Sequence, residues 1–175
     1  MHKKLDLTYI IVLLLFFFIP PSLITYSLLL NNNLNYLLIT SVVYVFLFVI
    51  VYIINLFSKK EYFKIIFGCH SKECRSIGFI HSHLKICARC FGILTGMLIM
   101  PLISLININR LYFLLLLFPL IIDGLIQKYS NYESNNFKRV ITGILFGFSL
   151  ITIFTYFYVY QSKFIILIIK KIRGG

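Results

Sequence analysis

Residues 7–30, LTYIIVLLLFFFIPPSLITYSLLL, and 36–57, YLLITSVVYVFLFVIVYIINLF, contain no charged side chain. Each is close to the roughly 20 residues with which a helix crosses about 30 Å of hydrocarbon. A backbone in lipid must satisfy its polar groups within its own segment, so such runs are helices. Three more apolar runs follow. The resulting expectation is an all-α integral membrane protein with about five transmembrane helices, at 8–30, 36–57, 90–108, 111–127 and 139–162, in one membrane domain over 1–175. The alternating pattern of an outer-membrane barrel is absent from the sequence. The basic start MHKK and the apolar stretch behind it resemble a signal peptide. That stretch is too long, however, and no small-residue cleavage site follows, so an uncleaved first helix, kinked at Pro20-Pro21, is expected.

Composition agrees: 60% of the 175 residues are hydrophobic and only 13% charged, far more apolar than a soluble domain. The formal net charge of +12 calls for no nucleic acid. Basic residues that fringe the cytoplasmic face and meet anionic lipid account for it. With the N-terminus inside, that side holds Lys3 and Lys4, seven basic residues from Lys59 to Arg89, and Lys128, Lys138 and Arg139. The outside holds Arg110 and the four basic residues of the tail KFIILIIKKIRGG. The asymmetry predicts a multi-pass protein of the cell membrane with a cytoplasmic N-terminus.

Against this apolar background, CHSKECRSIGFIHSHLKICARC, residues 69–90, holds every cysteine and three of the four histidines. In this orientation the loop over 64–90 is cytoplasmic, where clustered thiols stay reduced and more often bind metal than form structural disulfides. Cys87-x-x-Cys90 brings two sulfurs within reach of one tetrahedral ion. Cys69 and His70 precede it at a separation like that of a zinc ribbon. The expected ligands are Cys69, His70, Cys87 and Cys90, with Cys74, His81 and His83 in reserve. Thiolate and imidazole favour zinc, although iron and copper(I) also accept such donors. Two other readings stand beside this one: unrelated reduced thiols, or a redox pair at Cys87 and Cys90 whose pKa is lowered by a helix N-terminus and the neighbouring Lys85 and Arg89.

Further signals lie in the helices. Ala88, Gly92 and Gly96 recur at intervals of four, as do Gly143 and Gly147, which predicts close helix packing. Asp123 is the only acid in a membrane run and needs a partner. Gln127 is one turn further on the same face. Arg139 is the expected partner, as an ion pair fixing helix order or as part of a cytoplasmic-side cavity with Asp123, Gln127 and the cysteine loop. Ser134, Asn135 or Asn136 could cap the last helix, and Glu133 could pair with Arg75 or Arg89.

The succession CH, RS, CARC-x-G-x-x-x-G, IDG-x-x-Q and ESNN-x-x-R-x-x-TG-x-x-x-G resembles the bacterial and archaeal membrane family known as domain of unknown function 2085, over roughly residues 64–150. The resemblance implies a small polytopic membrane protein and no established activity. It marks Cys69, His70, Arg75, Ser76, Cys87, Arg89, Cys90, Gly92, Gly96, Asp123, Gly124, Gln127, Glu133, Ser134, Asn135, Arg139, Thr142 and Gly143. The chain departs from the family pattern at Ser71 and Phe91, where the pattern has Gln and Thr. Three function classes follow. The first is a membrane protein with a structural zinc site that scaffolds helices or handles a small anionic solute. The second is a metal-dependent membrane enzyme with Asp123 as acid or base and Arg75, Arg89 and Arg139 as anion clamps. The third is a thiol oxidoreductase using Cys87 and Cys90.

Overall fold

The computed structural model describes residues 7–30, 35–58, 62, 66–67, 69, 77–78, 84–106 and 109–173. The described residues form helices α1 (Leu7–Leu29), α2 (Tyr36–Ser58), α3 (Ala88–Ile103), α4 (Leu111–Leu115), α5 (Phe118–Tyr129) and α6 (Asn136–Arg173), and no strand. Three stretches are long and apolar enough to cross a membrane: Tyr36–Asn55, Leu111–Tyr129 and Asn136–Ile172. The apolar helices Leu14–Leu29 and Ala88–Ile103 are shorter.

Helix ends follow local chemistry. α3 stops at Ile103, short of the expected 108. Pro101 lies in its last turn, and Ser104 turns the chain back by donating its N–H to the Met100 carbonyl at 2.9 Å and its hydroxyl to the Pro101 carbonyl at 2.7 Å. The run expected as one helix over 111–127 is interrupted at Leu116–Leu117, because Pro119 cannot extend a helix backwards past the carbonyl of Leu115. α6 begins where Asn135 caps it, accepting the Lys138 N–H at 2.8 Å. It then continues to Arg173 rather than ending at 162. Nothing from Lys163 to Arg173 breaks a helix. At 1.5 Å per residue α6 is about 57 Å long, well beyond the thickness of bilayer hydrocarbon.

α1 passes through Pro20 and Pro21 without ending. Pro20 has no N–H, so the carbonyl of Phe16 loses its helical donor. The Tyr158 hydroxyl of α6 donates to that carbonyl at 3.2 Å, and one turn on the Ser162 hydroxyl donates to the Pro21 carbonyl at 3.3 Å. Through Tyr158, α6 thereby supplies a donor to the carbonyl that Pro20 left without one, as a helix in lipid requires. These pairs also show that α1 and α6 run parallel.

The most extensive helix contact is α3 against α6. A Cβ built on Gly92 would collide with the Val140 carbonyl, and one on Gly96 with that of Ile144. From the other side, Gly143 faces the Arg89 carbonyl and Gly147 that of Ile93. Both helices climb together through this register, so they too are parallel. The spacing of small residues in the sequence is thus used for direct contact between backbones. α2 starts beside the end of α3, where the Asn35 amide donates to the Ser104 carbonyl at 2.8 Å, and so it runs the other way. An aromatic cluster joins α1, α2 and α6. Tyr44 stacks on Phe154 at 5.7 Å, Phe16 meets Tyr44 and Phe48 edge-on, and the Tyr44 and Tyr158 hydroxyls share a buried hydrogen bond of 2.9 Å.

Candidate metal centre

Lys85, in the left-handed region at φ 51°, turns the chain into α3. Ile86 is fully buried behind it, and Cys87 takes the N-cap position in extended backbone. Its N–H has no helical acceptor at that position and instead donates to the Cys69 sulfur at 3.1 Å. Cys90 lies three residues on, on the same helix face. The sulfurs of Cys69, Cys87 and Cys90 all lie within 4.8 Å of one another. Cys69 and Cys90 are buried and Cys87 is half-buried. Three thiolates around one tetrahedral ion, each about 2.3 Å from it, sit about 3.8 Å apart, which a cluster within 4.8 Å can accommodate as three of four ligands.

The Cys87 and Cys90 sulfurs are 3.5 Å apart, much longer than a disulfide bond. The hydrogen bond between them draws the Cys87 thiol down to about 5, against the opposing effect of its partial burial. A thiol at the first turn of a helix gains further from the positive end of the helix dipole. Of the pair, Cys87 is the thiol that ionises more readily, and the thiolate is the form in which sulfur binds metal. Of the expected ligands, His70 lies outside the described residues, as do Cys74, His81, His83, Arg75 and Ser76.

Between the two helical cysteines stands Arg89. Its Nη2 donates to Asp123 Oδ2 on α5 and to Gln127 Oε1 at 3.5 Å. The partner of Asp123 is therefore Arg89 rather than the expected Arg139. Arg139 is buried at the start of α6, and its Nη1 donates to Asn136 Oδ1 at 3.2 Å on the same helix. The α3–α6 register explains the exchange. Gly143 lies against Arg89, which sets Arg139, one turn earlier, level with the chain entering α3. Asp123 and Gln127, one turn apart, both reach Arg89, as their shared face requires. Two buried donors of this cluster, Arg89 Nε and Gln127 Nε2, have no hydrogen-bond partner among the described residues. The sequence placed Arg89 beside the thiols and among the anion clamps but did not pair it with Asp123. The signal was there: Arg89 is the arginine inside the cysteine motif itself.

Chemically, one turn of α3 thus holds sulfur donors on one side and an ion pair to α5 on the other. The cluster can hold a soft divalent ion. Next to Gln127, an open cavity of about 540 Å³ lies over the turn from α5 to α6.

A family profile described as predicted membrane protein (DUF2085) matches residues 69–153, which include the three clustered cysteines, Arg89 and Asp123. An uncharacterized protein of Methanocaldococcus jannaschii is 39% identical over 92 residues, covering 47% of this chain and 58% of that one. An uncharacterized protein of Methanothermobacter thermautotrophicus is 36% identical over 88 residues, covering 47% of this chain and 79% of that one. The chain thus spans little more than half the length of the first relative. No solved structure matches it.

Proposed function

The chain belongs to the family described as predicted membrane protein DUF2085, and from that premise we propose that it is a multi-pass cell-membrane protein whose cytoplasmic face carries one zinc ion. Its five membrane segments form a single domain over 1–175, and the 64–90 loop is the metal loop. The ligands are Cys69, Cys87, Cys90 and His70. The observation that carries this reading is the convergence of three sulfurs within 4.8 Å, with Cys69 brought from 18 residues before Cys87 to the Cys87–Cys90 pair. The loop is polar and brings little apolar mass of its own, so metal binding supplies its folding energy. Four protein ligands make a closed, structural site. The ion fixes the entry to α3, and through Arg89 it sets the position of Asp123 and α5. The protein is then a scaffold whose polar, helix-lined cluster beside the metal handles a small solute.

A second reading, thiol oxidoreductase, is favoured by one observation: the 3.5 Å approach of Cys87 to Cys90 with the acidic Cys87 thiol. The metal-enzyme reading has less behind it, since Asp123 is occupied by Arg89 and not poised as an acid or base.

Metal analysis of protein purified in detergent without chelator tests the proposal. About one zinc per chain is expected, lost on replacing Cys69, Cys87 or Cys90 with serine and retained in Cys74→Ser. Absence of metal together with four titratable thiols would overturn it. A Cys87–Cys90 disulfide in the isolated protein would favour the oxidoreductase instead.

A further inference from the structure

The turn from α5 to α6 has features that the metal site does not use. Lys128 and Lys138 are each held over a tyrosine ring, Lys128 at 5.4 Å from the centroid of Tyr129 and Lys138 at 5.3 Å from that of Tyr132. The Lys138 ammonium also donates to the Tyr132 hydroxyl at 3.1 Å. Tyr132, Lys128, Gln127 and Ser130 line the open cavity of about 540 Å³. Its floor is widened by Gly124, beside which a Cβ would meet nothing within 4 Å. Lys128 thus lines this polar hollow, and the Lys138 ammonium reaches it through the hydroxyl of Tyr132, a lining residue. Tyr129 and Phe137, each next in sequence to one of the two lysines, are 78% and 72% exposed.

Exposed aromatic rings next to fixed cations are costly in bulk water but suit the headgroup layer, where tyrosine belts sit and lysines meet lipid phosphate. The helices of this turn are apolar up to Ile126 on one side and from Val140 on the other, so the turn lies where membrane gives way to water. We propose that this hollow binds the phosphate of an anionic phospholipid headgroup, with Lys128 and Lys138 as its cationic ligands and Tyr129 and Phe137 anchored among the acyl ends. Glu133 also lines the cavity. The site is independent of the metal reading, because neither lysine belongs to the cysteine cluster.

The test titrates the full chain in non-ionic detergent with short-chain dihexanoyl phosphatidylglycerol, dihexanoyl phosphatidylcholine and inorganic phosphate, and reads bound ligand by native mass spectrometry. Saturable binding of the phosphatidylglycerol is expected, with weaker binding of the choline lipid. The double variant Lys128→Gln/Lys138→Gln should weaken the phosphatidylglycerol by about 25-fold, near fivefold for each lysine, while metal content stays as in the wild type. Equal binding of both lipids, or an unchanged affinity in the double variant, would overturn the proposal. Displacement of the lipid by inorganic phosphate at equal concentration would overturn the lipid assignment and leave a site for a free oxyanion.

Discussion

α3 and α5 dock into the same bundle by opposite means. α3 buries Ala88, Cys90, Gly92, Leu94, Gly96, Met97 and Met100, and meets α6 with glycine set directly on backbone. α5 buries Asp123 alone; its apolar side chains, Ile121, Ile122, Leu125 and Ile126 among them, are exposed and face outwards. In lipid, apolar area gives no preference for protein over bilayer, so association rests on close packing or on polar bonds. α3 uses the first and α5 the second. A helix fitted by shape is tied down along its whole length, whereas one fitted by a single ion pair hangs on two residues.

Removing the charge from α5 should therefore have the largest effect. Asp123→Asn leaves the Arg89 guanidinium without its counter-ion and should lower stability in detergent by about 3 kcal/mol, the lower end of the range for a broken buried pair. The lower end applies because the Arg89 side chain is 27% exposed. Arg89→Gln added to Asp123→Asn should restore most of the loss, and Arg139→Gln added instead should not. A single variant as stable as the wild type in thermal unfolding would show that α5 docks without its charge. For α3 the equivalent break is Gly96→Leu. The new side chain meets the Ile144 backbone rather than a yielding side chain, and about 2 kcal/mol should be lost. Unchanged stability there would mean that α3 and α6 can separate at no cost. The smallest effect is expected at Gly124→Ala on α5. The position is open, so the change should be neutral or stabilising by up to about 1 kcal/mol, from helix propensity alone. A loss comparable to that at Gly96 would mean that α5 also packs by shape.

The same contrast explains what could be read from the sequence. The glycine spacing of α3 and α6 has a period, and a period survives without coordinates; the close contact followed from it. The gathering of Cys69 with Cys87 and Cys90 was legible too, because few chemistries collect thiols in an apolar chain. The partner of Asp123 was not. A buried carboxylate announces that it needs a cation, but which of Arg89 and Arg139 supplies it depends on the relative register of three helices. The expectation chose the arginine aligned with a glycine face, while the structure uses the one between two cysteines. Helix ends were partly legible. Pro119 marked the break after Leu115, yet hydropathy passes smoothly through it. Past Ser162 the apolar run FIILII is too short to span by itself, which obscures that KFIILIIKKIR continues the helix already under way.

The parallel course of α3 and α6 has an electrostatic consequence. Each helix places about half a positive charge at its N-terminus. In a parallel pair these like ends stand side by side, and here no side chain keeps the backbones apart. Negative charge at that end is what relieves the repulsion. The Asp123 carboxylate there is matched by Arg89, whereas the Cys87 thiol, its pKa lowered, sits at the N-cap of α3. Three thiolates and one imidazole around a dication carry a net charge of about −1, so a filled metal centre would act as a counter-charge for both helices. Neutralising the sulfurs would then loosen a contact made by glycines further along the helices.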